Sequence, residues 1–410
     1  MAVTIPTAAQ RSGVCAPLGF RASAAAADIR GNGDTERLDV ALIVSERPCT
    51  AAGVFTRNLV KAAPVVISQL TLRRNGPIRA IVVNSGNANA CTGPQGFRDA
   101  LRMATAAADS CDADPSEVLV CSTGVIGRPL PTDRVAAGVR KAANTLSGRG
   151  GDWAAQAIMT TDTVPKTAVA TARVGDRVCT VGGMAKGAGM IHPDMATLLA
   201  FITTDAPVER EALQGLLADV CSRTFNCLSI DGDTSTNDTL LLLANGEAGG
   251  PAITAESPYL SALSDAVEGV CLSLVEQLAA DAEGGTKAIC VAVNGAEDLD
   301  QARRAARTVV LSPLVKCAVH GADPNWGRIV AALGRSGASF ALDRCHVAIG
   351  GIEVFAAGQP VPVDLDAIRA AFTRPRIDIE IELGAGEGSA RAWGCDLSAD
   401  YVRINADYTT

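Results

Sequence analysis

Short, β-favouring apolar runs alternate with longer alanine-rich stretches along this chain. No low-complexity linker, internal repeat or long charge run divides it. Ala80–Asn84 reads as a buried strand and Phe97–Ser110 as a helix. Val118–Ser122 is a second strand, ending at Thr123-Gly124. Helices are expected at Thr132–Leu146 and, with Asp152 as N-cap, at Trp153–Met159. Thr167–Val174 and Arg177–Val181, split by Gly175-Asp176, read as a hairpin. Strands follow at Leu198–Thr203, Asp238–Leu243 and Lys287–Val293, with helices from Val208 to about Arg223 and over most of Ser257–Ala280. Mixed elements without regular strand–helix–strand spacing favour a layered α+β fold over a doubly wound sheet. At 410 residues, such a fold has ample core for one large or two medium domains.

Aromatics make up only 3% of the chain, so that core must rest on Val, Leu, Ile and Ala. The net charge of −8 and the lack of a basic stripe argue against a nucleic-acid surface, which needs clustered Lys and Arg. No apolar run reaches the ~18 residues of a membrane span, and the N-terminus shows no charged start followed by an apolar core. The thirteen cysteines are scattered singly, with no C-x-x-C, the pattern of reduced cytosolic thiols filling small apolar sites. Three histidines (His192, His320, His346) are too few for a His-based metal site. His320 and His346 are read as structural.

The segment from Lys186 to Asp205 is the most chemically suggestive. A glycine-loosened loop carrying a lysine runs to the Ala196-Thr197 bond, and an apolar, β-favouring run begins at the threonine. A threonine so placed can attack the carbonyl before it. Cutting there would make Thr197 a new N-terminus whose amine serves its own hydroxyl as base. Read alone, the segment is an ordinary loop feeding a strand with a threonine at its start. His192, five residues before Thr197, is read as a loop residue, not a base.

Other patterns fail on chemistry. Asp231 to Asp238 looks like a calcium loop, but Thr236 stands where the loop needs Gly, and Leu242 where it needs the bidentate Glu. Gly284-Gly-Thr-Lys287 lacks phosphate-loop spacing, and no G-x-S-x-G elbow is present. Any nucleophile must therefore be activated without a conventional histidine base.

Several long strings, in order and nearly end to end, resemble the ornithine acetyltransferase family, the bifunctional glutamate N-acetyltransferases of arginine biosynthesis. They are Asn84-Ser-Gly-Asn-Ala-Asn-Ala-Cys-Thr-Gly93, Ser122-Thr-Gly-Val-Ile-Gly127, Met159-Thr-Thr-Asp-Thr163 with Pro165-Lys166, and Gly183-Met-Ala-Lys-Gly-Ala-Gly-Met190 leading to Met195-Ala-Thr197. Further strings are Ser229 to Thr239, Glu283 to Lys287, Gly321 to Ile329 and Arg403 to Thr410. The resemblance implies a layered α/β sandwich reminiscent of N-terminal nucleophile hydrolases. It implies autocleavage at Ala196-Thr197 into an α chain (1–196) and a β chain (197–410) that stay packed together. Thr197 would be the nucleophile, Thr123 and Gly124 the oxyanion hole. Thr160, Lys186, Thr197, Glu283, Asn405 and Thr410 would contact substrate. It further implies a cytoplasmic heterotetramer of two α and two β chains, with no metal and no cofactor.

The implied reaction moves acetyl from N-acetylornithine to glutamate through an acetyl-threonine, in ping-pong fashion, giving ornithine and N-acetylglutamate. Some family members also take acetyl-CoA as donor, and the residues do not decide this. A free α-amine, with an unperturbed pKa of about 7.7–8.0, can take the threonine proton. Gly124, lacking Cβ, lets its N–H approach a reacting carbonyl, and the Thr123 hydroxyl adds a second donor, though alone the pair reads as a tight turn. Lys186 suits a substrate carboxylate. Glu283 suits either an ornithine ammonium or proton shuttling. Asn405 and Thr410 require a docked C-terminal tail. The alternatives are a threonine amidase or aminopeptidase, with water as acceptor, and a non-catalytic scaffold of the same fold.

Overall fold

The computed structural model describes residues 11–192 and 198–407, so Ala196, Thr197 and Thr410 lie outside the described residues. The first sheet contains β1 (Phe20–Ala25), β2 (Val40–Phe55), β3 (Ile78–Asn87), β4 (Val118–Val125), β5 (Lys166–Val174), β6 (Arg177–Lys186), β7 (Leu199–Thr204) and β8 (Thr239–Ala244). Its order is β4-β3-β2-β8-β7-β6-β5, with β1 added beside β2. The long β2 makes this possible. Val40–Val44 pairs with β3, the register shifts before Cys49, and Thr50–Phe55 pairs with β8. The two strands that follow residue 197 therefore sit in the middle of the sheet, between β2 and β6.

Two pairs, β3–β4 and β7–β8, are parallel. Helices Gly93–Cys111 and Arg210–Arg223 lie in the two connections, as parallel pairing requires. β8, Thr239-Leu-Leu-Leu-Leu-Ala244, is buried throughout, which explains why it reads as a continuous apolar run. Alternation divides it. Leu241 and Leu243 join Ile43, Ile81, Leu199 and Phe201 on one face, under Ala154 and Ala157 of helix Gly151–Ala157. Leu240 and Leu242 pack with Leu213 and Leu217, and with Val267 and Leu274 of helix Leu260–Ala280. Each such leucine contributes about 1.5–3 kcal/mol by burial.

The second sheet holds β9 (Ala288–Ala296), β10 (His346–Ile349), β11 (Ile352–Ala356), β12 (Gln359–Pro360), β13 (Arg376–Glu382) and β14 (Gly388–Cys395), in the order β12-β11-β10-β13-β9-β14. Cys290, Trp393 and Cys395 share a core with helix Leu260–Ala280, which thereby joins the two sheets. Ile289, Val291 and Val293 pack instead with Ala302, Ala306 and Val309 of helix Leu299–Val310. The fold is layered α+β, as expected.

The expected strands and helices are all present, with ends shifted by a few residues; the hairpin is the β5–β6 pair, turning at Gly175 with φ 65°. One detail is corrected. Asp152 is not an N-cap: the helix starts at Gly151, capped by Gly150, and the Asp152 carboxylate accepts from the Ser12 hydroxyl at 2.7 Å. A tertiary partner 140 residues away has taken the side chain that local reading assigned to the backbone. Most cysteines are buried, and burial pushes the Cys49 and Cys221 thiols up to about 12, making them inert core fillers. No helix among the described residues is long and apolar enough to cross a membrane.

Candidate active site

The β3 and β4 ends run side by side, placing Gly124 opposite Gly86 where the register shifts. Gly124 has φ +132°, and a Cβ there would lie 2.3 Å from the Gly86 carbonyl carbon. Only glycine lets these strand ends close up. The arrangement is held by amides: Ser122 Oγ donates to Asn84 Oδ1 (2.6 Å), and Asn237 Nδ2 donates to the carbonyls of Ala88 (2.7 Å) and Ser122 (2.8 Å). Asn237 thus ties the β3 and β4 ends to the loop before β8.

Lys186 ends β6 and is buried, 6% exposed. Its Nζ donates to Thr123 Oγ1 at 3.3 Å. Burial lowers its pKa below 10.5 against the opposing pull of Asp162, with Lys166 pushing the same way as burial and with Glu283 and Asp238 resisting. The following loop is seated on carboxylates. Gly187 N–H donates to Asp162 Oδ1 (2.7 Å), Met190 and Ile191 N–H donate to Asp231 (2.5 and 3.0 Å), and Glu283 N–H donates to the Ala188 carbonyl (2.9 Å). A Cβ on Gly189 would lie 2.4 Å from Glu283 Oε2, so its absence lets that carboxylate lie against the loop.

The C-terminal tail is docked. Asn405 Nδ2 donates to Glu283 Oε2 at 3.0 Å, and Ser398 Oγ donates to the Gly284 carbonyl at 2.5 Å. Gly284, at φ +64°, sits where a Cβ would meet the Tyr401 N–H nitrogen at 2.3 Å. The Gly-Gly step after Glu283 is therefore a seat for helix Ala399–Asp407.

These segments enclose a cavity of about 90 Å³, lined by Thr123, Gly124, Thr160, Lys186, Glu283 and Asn405, with Ser235, Thr236 and Asn237 along one wall. All six described positions that were expected to form a site meet there. A smaller recess of about 10 Å³ adjoins, where Leu198 and Leu199 lie with Thr123, Lys186 and Asp238. The chain re-enters the described structure, at Leu198, beside Thr123, one of the two expected oxyanion residues. His320 Nδ1 donates to the Asp396 carboxylate (2.7 Å) and His346 Nδ1 to that of Glu353 (2.8 Å), both away from this lining. His192 Nδ1 faces Ser229 Oγ at 3.2 Å.

Residue reading gave no role to Asp162, Lys166, Asp231 or the 235–237 wall. Lys166 is completely buried between Asp162 (2.7 Å) and Asp281 (2.6 Å). A lysine inside a strand-edge string and an acidic residue 115 positions on carry no local signal of pairing.

Fold and cavity together define a layered α+β protein whose buried polar site is assembled from residues on both sides of position 197. The chain belongs to the ArgJ family, whose model matches residues 21–410. It is 52% identical over 398 residues to the arginine biosynthesis bifunctional protein ArgJ of Symbiobacterium thermophilum, covering 97% of this chain and 98% of that one. Against the protein of the same name from Dehalococcoides mccartyi it is 46% identical, covering 97% of each. A crystal structure of ornithine acetyltransferase from Mycobacterium tuberculosis, complexed with ornithine, is 47% identical and covers 45% of this chain and 96% of its own, with a TM-score of 0.39.

Proposed function

We infer that this chain is an acetyltransferase of arginine biosynthesis, moving the acetyl group of N-acetylornithine to glutamate through an acetyl-threonine on Thr197. The observation that carries the site assignment is the convergence of Thr123, Gly124, Thr160, Lys186, Glu283 and Asn405 on one cavity, with Leu198 beside it.

The residues suit each step. Lys186 donates to the Thr123 oxygen, so the Thr123 proton is turned outward and polarised, ready for a developing oxyanion. With the Gly124 N–H it forms a donor pair, and one such donor is worth about 2.7–4 kcal/mol of barrier. The free amine of Thr197 takes the hydroxyl proton on attack and returns it to the departing amine of ornithine. Glutamate then attacks the acetyl-threonine over the same donors. The buried Lys186 cation pairs with an α-carboxylate, and Glu283, with Asn405 and Thr410 near the tail, takes the far end of the substrate. Thr160 lines the same cavity.

In the precursor, attack of the Thr197 hydroxyl on the Ala196 carbonyl, over the same donors, shifts the acyl group from nitrogen to oxygen and frees the Thr197 amine; water then hydrolyses the ester, leaving 1–196 with a carboxylate and 197–410. Because β7 and β8 lie between β2 and β6, the two pieces stay hydrogen-bonded in one sheet. The working assembly is a cytoplasmic heterotetramer of two such pairs, without cofactor or metal. Thr197→Ala tests this: one uncut band of 41.9 kDa and no transfer are expected. Two bands from that variant would sink the nucleophile assignment. In the intact enzyme, glutamate should divert acetyl into N-acetylglutamate; acetate release unaffected by glutamate would instead mark an amidase.

A further inference from the structure

Three of the segments that line the cavity, those carrying Thr160, Lys186 and Glu283, are fastened by one buried chain of ions. Asp162 Oδ2 accepts the Thr160 N–H at 3.1 Å, while its Oδ1 accepts both the Gly187 N–H and Lys166 Nζ at 2.7 Å. Lys166 reaches on to Asp281 Oδ2 at 2.6 Å. Asp281 caps the end of helix Leu260–Ala280, two residues before Glu283, and also takes the Thr163 N–H (3.0 Å) and hydroxyl. The side chains of Asp162 and Lys166 are fully buried, and that of Asp281 is 7% exposed. None of the three lines the cavity. Yet Asp162 is bonded to Thr160 and to Gly187, the neighbour of Lys186, Asp281 is two residues from Glu283, and Lys166 joins the two carboxylates.

We propose that Asp162, Lys166 and Asp281 form a positioning triad that fixes the separation between the carboxylate-binding Lys186 and Glu283, and so the length of amino-acid substrate the site accepts. This rests on the acetyl-transfer reading above. Its logic is rigidity: a charged, bonded frame in low dielectric holds its geometry more firmly than loops contacting solvent. Asp162 has a second effect. Among the charged groups facing Lys186 (Asp162, Lys166, Glu283 and Asp238), it is the leading one that favours the protonated lysine. Removing its charge should make Lys186 lose its proton at lower pH.

The test compares wild type, Asp162→Asn and Asp281→Asn on N-acetylornithine and on the acetylated diamino acids one methylene shorter and longer, with kcat/KM followed across pH. For both variants, the ratio of kcat/KM between donors is expected to shift by about fivefold or more, within what one methylene is worth. Asp162→Asn should also move the alkaline limb to lower pH, whereas Asp281→Asn should leave it in place. Variants that lower all donors in proportion, with the alkaline limb unmoved, overturn the proposal. If Asp162→Asn does not fold, an unchanged donor ratio in folded Asp281→Asn overturns it as well. A wild-type protein inactive on every donor instead breaks the acetyl-transfer reading and takes the triad's role with it.

Discussion

Lys166 and Lys186 stand at the open end of one hairpin, β5–β6, both nearly shut off from water, and their surroundings differ in one respect. Lys166 is clasped by two carboxylates at 2.6–2.7 Å. Lys186 has a hydroxyl at 3.3 Å and faces a cavity. A buried cation whose partners are complete is a structural tie; one left partly unsatisfied at a cavity wall can take a substrate anion and gain by it. Burial alone does not distinguish the two, and the partner geometry does.

The contrast is broken most forcefully at Lys166. Lys166→Met leaves Asp162 and Asp281 buried without their shared cation, and equilibrium denaturation should show a loss of about 3–5 kcal/mol. Lys186→Met should do the reverse, leaving the denaturation midpoint unchanged or raised while transfer falls by about two orders of magnitude, the scale of a lost electrostatic contact in the transition state. A comparable stability loss in both variants would erase the distinction drawn between them.

Acid and base sharpen the same comparison. Burial works against the Asp162 carboxylate, but Lys186 and Lys166 outweigh it and hold its pKa below 3.8. The unfolded chain then binds that proton first, so the stability Asp162 supplies is full above pH 3.8 and is lost as pH falls through the lower folded value. Asp162→Asn should therefore flatten the acid limb of the stability profile. For Lys186 the folded pKa lies below 10.5, so the unfolded chain binds more protons between those values. Wild type should gain stability over that alkaline window relative to Lys186→Met, even as substrate binding weakens. The smallest effect is expected from Gly189→Ala, whose Cβ displaces the mobile end of Glu283: a change of a few-fold in KM, with little change in midpoint.

Much of this architecture was legible in the chain because strands such as β8 and β9 are continuous apolar runs with the period of buried sheets. The positions expected to line the site came from long motif strings, and the described ones do meet at one cavity. What the strings could not convey was the partner of each charge. Lys166 appeared in them without a role, since Asp281 is distant in sequence. Asp152 looked like a cap until Ser12 claimed it. Gly284 and Gly285 resembled a failed phosphate loop, whereas Gly284 makes room for the approach of Tyr401, more than a hundred residues on. Long-range pairing of this kind leaves no periodic trace.

The central place of β7 and β8 also bears on how the molecule is made. While one polypeptide carries all eight strands, the pair meets β2 and β6 at the high local concentration that a tether confers. Fragments 1–196 and 197–410 produced separately would have to find each other by diffusion, each exposing unpaired strand edges on the way. On the cleavage proposed above, synthesis as a single precursor would make the first half the template for the second, and assembly would not depend on how much protein the cell contains.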